Sequence, residues 1–117
     1  MLDCCVAYGF LYLTPLELAF MLFVGHFLGD FALQSEYMST HKSPSVSKDW
    51  YIVMTAHCAV HSMIVFIVTG RISFAIFEFV VHFVTDYTKS KGRISYLTDQ
   101  FVHVLAKAVI FTGLLYS

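Results

Sequence analysis

The chain has 117 residues and a formal net charge of −1; 58% of its residues are apolar and 13% are charged. Soluble domains average about 45–50% apolar and about 25% charged residues, so this composition excludes a soluble enzyme and a disordered segment. The small net charge also excludes a broad nucleic-acid-binding face. We therefore predict a single integral membrane domain over residues 1–117.

The first predicted helix covers residues 15–38. It follows Thr14-Pro15-Leu16-Glu17, a sequence typical of a capping box with proline at the first helical position. Residues 1–13 are expected either to extend this helix or to lie along the membrane interface, where Tyr8 and Tyr12 would anchor them.

Three further helices are predicted over residues 49–69, 72–88 and 96–115. A helix needs about 20 mostly apolar residues to cross the bilayer core, and the first and last of these stretches provide them. The helix at 49–69 ends at Gly70, a residue typical of helix ends. The helix at 72–88 is short for a span, and an outward-reaching Arg71 would lengthen it.

Lysine and arginine are unevenly distributed among the predicted loops. The loop at 39–49 contains two and the loop at 88–93 contains three, whereas the link between the second and third helices offers only Arg71. Positive residues favour the cytoplasmic side, so we expect these two loops in the cytoplasm and both termini outside. Short connections make neighbouring helices antiparallel. The predicted fold is therefore all-α, a membrane bundle of four antiparallel transmembrane helices.

Each predicted helix carries two ionisable residues four positions apart, which places both side chains on one helix face. The four pairs are His26 with Asp30, His57 with His61, His82 with Asp86, and Asp99 with His103. A random distribution of six histidines and five aspartates would give roughly one such pair. With alternating helix directions, all four pairs fall in the cytoplasmic half of the membrane. The pattern predicts one shared site.

The five histidines and three aspartates of these pairs are predicted to hold one or two divalent metal ions. Imidazole and carboxylate ligands together suit zinc, manganese or iron. The alternative is a network of buried histidine–aspartate hydrogen bonds that packs the helices together or relays protons.

Further polar residues share the faces of these pairs. Glu78 lies one turn before the third pair, where its carboxylate would be a further ligand or a general acid/base. Lys107 lies one turn after the fourth pair, where its ammonium group would pair with Glu78 or hold an anionic group such as phosphate. Gln34 and Gln100 are candidates to orient ligands through hydrogen bonds.

Four motifs follow one another between Leu16 and Leu115. They are His26-Phe-Leu-Gly-Asp-Phe-Ala-Leu-Gln34, His57-x-x-x-His61, His82-x-x-x-Asp86 and Asp99-Gln100-x-x-His103. In this order they resemble a family of small uncharacterised membrane proteins of bacteria and their phages. The resemblance implies a helical membrane fold with a shared site. The sequence is also distantly similar to proteins labelled membrane-bound metal-dependent hydrolases.

We therefore expect a metal-dependent hydrolase of the bacterial inner membrane that acts at the cytoplasmic leaflet. Its partners would be membrane lipid and a lipid-like or phosphorylated small substrate, with no nucleic acid. A second hypothesis is a subunit of a divalent metal or proton transporter or channel, which would form homo-oligomers because four helices are few. A third is a membrane adaptor in which the metal is only a structural staple.

Overall fold

The N-terminal segment forms a small antiparallel ribbon. The computed structural model describes residues 6–8 and 11–116, with side chains from Tyr12 onwards. Strand β1 (Val6–Tyr8) pairs with strand β2 (Leu11–Leu13). Thr14 then adopts an extended backbone, with φ −72° and ψ 162°, so the first helix cannot continue back into these residues. The prediction that residues 1–13 extend the first helix is therefore wrong for residues 6–8 and 11–13. The side chain of the predicted anchor Tyr8 lies outside the described residues.

Helix α1 (Pro15–Phe27) begins at the predicted capping box, which the structure confirms. The Thr14 hydroxyl accepts a hydrogen bond from the Glu17 backbone N–H at 3.2 Å, and the Glu17 carboxylate accepts one from the Thr14 backbone N–H at 2.9 Å. These bonds satisfy two of the amide groups that a helix N-terminus leaves without partners.

The single helix predicted over residues 15–38 is too long. The α-helical hydrogen bonds of α1 give way to a π-helical turn at Leu28–Ala32, and the chain then leaves the helix before α2 (Glu36–His41) begins. Ser35 starts α2 by accepting a hydrogen bond from the Met38 backbone N–H at 3.1 Å. A serine cap favours a new helix start over the continuation of an old one.

Three long helices complete the chain: α3 (Trp50–Thr69), α4 (Ile72–Ser90) and α5 (Tyr96–Leu115), all within two residues of their predicted bounds. Gly70 ends α3 as predicted, with a φ of 70° that glycine adopts without strain. Helix α1 contacts α3 and α5, and α4 also contacts both. The four helices thus contact one another in a closed cycle.

Three helical segments of the described chain are long and apolar enough to cross a membrane, whereas four spans were predicted. The three are Pro15–Ala32, Trp50–Thr69 and Tyr96–Leu115. Helix α4 is long enough to cross a membrane, but its charged residues Glu78, Asp86 and Lys89 make it less apolar than the other three segments.

The distribution of polarity is the reverse of that in a soluble protein. Among the described residues, the buried ones include 13 polar or charged residues but only 11 hydrophobic residues. Large apolar side chains instead cover the outside, and α1 exposes a continuous stripe of them at Leu16, Phe20, Val24 and Phe27. A lipid environment favours this arrangement, because apolar side chains lose nothing there while polar groups must find partners inside the protein.

The buried interior has an apolar end and a polar end. The apolar end contains Leu18 and Leu22 from the start of α1, Val65 and Val68 from the end of α3, and Ile110 from the second half of α5. The buried histidines and aspartates lie further towards the opposite ends of these helices, in α4 and in the π-helical turn after α1. The fold therefore places the predicted site residues at one end of the helix cluster.

Candidate metal centre

The π-helical turn positions the first predicted pair. His26 lies at the end of α1 and Asp30 lies within the turn, and both are buried. The Gln34 side chain donates a hydrogen bond to the Asp30 backbone carbonyl at 2.7 Å, which satisfies an acceptor at the point where the helix ends. Such turns are frequent at functional sites because they displace a side chain from its regular position.

Three histidines from two other helices contact the Asp30 carboxylate. Its Oδ1 lies 2.9 Å from Nε2 of His61, 3.3 Å from Nε2 of His57 and 3.5 Å from Nε2 of His82. One ligand atom from each of these four buried residues lies within 4.8 Å of the others. Helices α3 and α4 and the π-helical turn thus bring four candidate ligands to one point.

The remaining predicted ligands adjoin this point. His103 Nε2 lies 3.1 Å from Asp86 Oδ1 and 3.3 Å from Asp99 Oδ1. These three residues form a second group that could hold a metal ion, and His26, His82 and His103 form a third. His82 and His103 each belong to two groups. The structure therefore brings all eight predicted ligands into one set of overlapping groups.

All five histidines of the site present the same ring nitrogen to the centre. Each Nε2 lies within 3.5 Å of a carboxylate oxygen of Asp30 or Asp86. Four Nδ1 atoms are buried and have no hydrogen-bond partner among the described residues; they belong to His26, His57, His82 and His103. The polar contacts of these rings are thus concentrated at Nε2, apart from the Glu78 carboxylate that lies 3.4 Å from Nδ1 of His82.

The spacing of the donor atoms fits a metal ion. Four ligand atoms placed tetrahedrally at 2.0–2.1 Å from zinc lie about 3.3 Å from one another. Nε2 of His57 lies 3.0 Å from Nε2 of His82, and the distances from Asp30 Oδ1 to the histidines run from 2.9 to 3.5 Å. Neutral imidazole and carboxylate oxygen are also the donor types that zinc, manganese and iron accept.

Glu78 and Lys107 pair with each other, one of the two predicted roles of Lys107. The Lys107 ammonium group donates a hydrogen bond to Glu78 Oε1, and both side chains are buried. The same Oε1 lies 3.4 Å from Nδ1 of His82, on the side of the ring away from the centre. Glu78 belongs to none of the metal-binding groups found among the described residues, so it contacts the site through His82.

Two lysines that were predicted only to lie in cytoplasmic loops contact the site. Lys42, at the end of α2, is 5% exposed and its ammonium group donates to Asp86 Oδ2 at 2.8 Å. Lys89, at the end of α4, lies 3.4 Å from Asp99 Oδ2. No local pattern marks Lys42, because its burial depends on α2 folding back to contact α3.

The two predicted orienting amides contact the site. Gln100 lies 3.0 Å from His26 Nε2 and donates hydrogen bonds to Asp30 Oδ2 at 3.1 Å and to Asp99 Oδ2 at 3.2 Å. Gln34 accepts a hydrogen bond from Lys42 at 2.7 Å. Gln100 thus links the carboxylates of Asp30 and Asp99, whereas Gln34 reaches the carboxylate of Asp86 only through Lys42.

A comparison with protein-family models places the chain among known sequences. Residues 18–117 match the model DUF3307, described as a protein of unknown function. The chain belongs to the DUF3307 family. The match includes all eight predicted ligands together with Glu78 and Lys107.

No curated protein and no solved structure matches the chain. The DUF3307 description carries no activity. The similarity to membrane-bound metal-dependent hydrolases therefore stays a prediction.

Proposed function

We propose that this DUF3307 protein is a membrane-embedded metal protein in which α1, α3, α4 and α5 form an antiparallel bundle. Its buried centre would hold one or two divalent ions of zinc, manganese or iron through His26, Asp30, His57, His61, His82, Asp86, Asp99 and His103. The convergence of five histidine Nε2 atoms on two buried aspartates carries this proposal.

A metal ion explains the site better than hydrogen bonds alone. A neutral histidine has one N–H donor, and each buried polar atom without a partner costs about 1–3 kcal/mol. Here Nε2 of His57 and Nε2 of His82 lie 3.0 Å apart, and each also lies within 3.5 Å of carboxylate oxygens of both Asp30 and Asp86, so one N–H per ring cannot satisfy all of these contacts. A divalent ion would bind the crowded nitrogens through their lone pairs, which repays the cost of burying them.

Access from outside favours catalysis over a purely structural role. A cleft of about 520 Å³ opens beside the site, and Asp30 is part of its lining. A bound divalent ion supplies a Lewis acid that polarises an ester or phosphoryl oxygen and activates water. We therefore propose a metal-dependent hydrolase whose substrate enters through this cleft.

Glu78 acts in this proposal mainly through His82. A carboxylate beside Nδ1 favours the tautomer in which the N–H faces the carboxylate and the Nε2 lone pair faces the centre. Lys107 neutralises the buried carboxylate of Glu78. The roles of general base for Glu78 and anion partner for Lys107 stay predictions.

The apolar end of the interior argues against a transport path. Leu18, Leu22, Val65, Val68 and Ile110 are buried there with almost no exposure. Polar groups would have to continue through this end to pass an ion across the membrane. We accordingly place the site at the cytoplasmic leaflet of the bacterial inner membrane, on the side of the lysine-bearing connections.

The proposed activity can be tested with chromogenic esters. Protein reconstituted in vesicles with zinc, manganese or iron(II) should release p-nitrophenol from phosphate or carboxylate esters. His57→Ala should abolish the release, whereas His41→Ala should not, because the His41 ring stacks on Tyr37 outside the site. A metal-loaded protein without turnover would contradict the hydrolase, and metal flux across the vesicles would indicate a transporter.

A further inference from the structure

The cleft beside the site is polar, and its lining carries two ammonium groups and the carboxylates of Asp30 and Glu36. Its lining includes Lys42, Lys89, Gln34, Gln100 and hydroxyl groups such as that of Ser39. Asp30 links the cleft to the buried site. A ligand in the cleft can therefore contact lysines, amides and hydroxyls while one end of it reaches the candidate ligands.

The lysines retain hydrogen-bond donors for a ligand. An ammonium group has three N–H donors. Among the described residues, Lys42 uses two of them, for Gln34 and Asp86, and Lys89 uses one, for Asp99. The Lys89 ammonium group also lies 5.7 Å from the centre of the Tyr96 ring, and Tyr96 lines the cleft.

Two divalent ions would give the site and its cleft a positive charge. Five carboxylates oppose three lysines in the site and its cleft, so with neutral histidines the net charge is −2; the residues are Asp30, Glu36, Glu78, Asp86, Asp99, Lys42, Lys89 and Lys107. One divalent ion would bring this charge to 0, and two would bring it to +2. A buried positive excess favours an anionic ligand.

We propose that this cleft binds a phosphate monoester group, which deepens the proposed hydrolase and rests on its metal centre. A phosphoryl group has several acceptor oxygens, which suit the lysine, amide and hydroxyl donors of the cleft. Its two negative charges would offset the positive excess that two divalent ions create. The phosphate belongs either to a soluble molecule or to a lipid headgroup. The lipid case gains support from Phe31, which lines the cleft and is 56% exposed.

The test compares Lys89→Gln with Lys91→Gln in metal-loaded protein purified in detergent. Lys89 is 27% exposed and tolerates substitution better than the buried Lys42. Lys91 lies two residues away, over the Tyr87 ring and outside the cleft lining. Inorganic phosphate and a short-chain phosphatidic acid are titrated separately by calorimetry, and metal content is measured for each variant.

We expect Lys89→Gln to weaken phosphate binding about tenfold or more, since a hydrogen bond to a charged group contributes about 1.5–3 kcal/mol. Lys91→Gln should bind as the wild type does, and removal of metal should abolish binding. Binding of the lipid alone would identify a headgroup, and binding of both probes would identify the phosphate itself. Equal binding by both variants, or no binding by metal-loaded protein, would overturn the phosphate proposal while leaving the metal centre intact. A wild type without metal would overturn both.

Discussion

Gly29 offers a test of the site's geometry that removes no ligand. It lies in the π-helical turn, where α1 approaches α3. A Cβ atom at this position would lie 2.5 Å from Cε1 and 2.7 Å from Nε2 of His61, whereas ordinary contacts begin at 3.4 Å. In Gly29→Ala the ring must therefore retreat by roughly 0.9 Å, the difference between 2.5 and 3.4 Å. That movement would break the 2.9 Å contact between His61 and Asp30.

We expect Gly29→Ala to weaken metal binding by about 10- to 100-fold, the loss that follows when a ligand is no longer held in place. The measurement is a competition titration against a chromogenic chelator. The matched control is Gly25→Ala, whose added Cβ would lie 2.7 Å from Cγ2 of Ile64 at the same helix contact. Both variants should lose about 1–3 kcal/mol of stability through overpacking, but only Gly29→Ala should lose metal affinity. Equal metal affinity in the two variants would refute the placement of His61.

Two further predictions concern the buried lysines. Glu78→Gln should lower the free energy of unfolding in detergent by about 3–5 kcal/mol, because Lys107 then keeps a buried charge without a partner. The double variant Glu78→Gln/Lys107→Met should recover most of this loss, and no recovery would contradict the pairing. Lys42→Met should lower the melting temperature of metal-free protein more than that of metal-loaded protein, because a metal ion at Asp86 replaces the lost positive charge. An equal decrease in both forms would argue against Asp86 as a ligand.

Local sequence patterns were sufficient for much of the fold. The capping box at Thr14 and the glycine at the end of α3 depend on interactions within a few residues, and the structure shows both. The i, i+4 spacing of histidines and aspartates likewise depends only on helix periodicity. The eight candidate ligands are for that reason recognisable from the sequence alone.

The missed features depend on longer-range packing. The π-helical turn at Leu28–Ala32 keeps an apolar composition that resembles the helix before it. Lys42 follows Gln34 by eight residues in a polar stretch, and only the return of α2 towards α3 brings its ammonium group to Asp86. Strands β1 and β2 are three residues each, too short for a reliable alternation of polar and apolar residues.

The most direct test of the proposed metal centre is elemental analysis of the purified protein. Wild type, His57→Ala, Asp99→Ala and the control His41→Ala are compared after growth with zinc, manganese or iron, and circular dichroism verifies their helical content. We expect about one or two ions per chain in the wild type and in His41→Ala, and almost none in the other two variants. A folded wild type that contains no metal under any of these conditions would contradict the proposed metal centre.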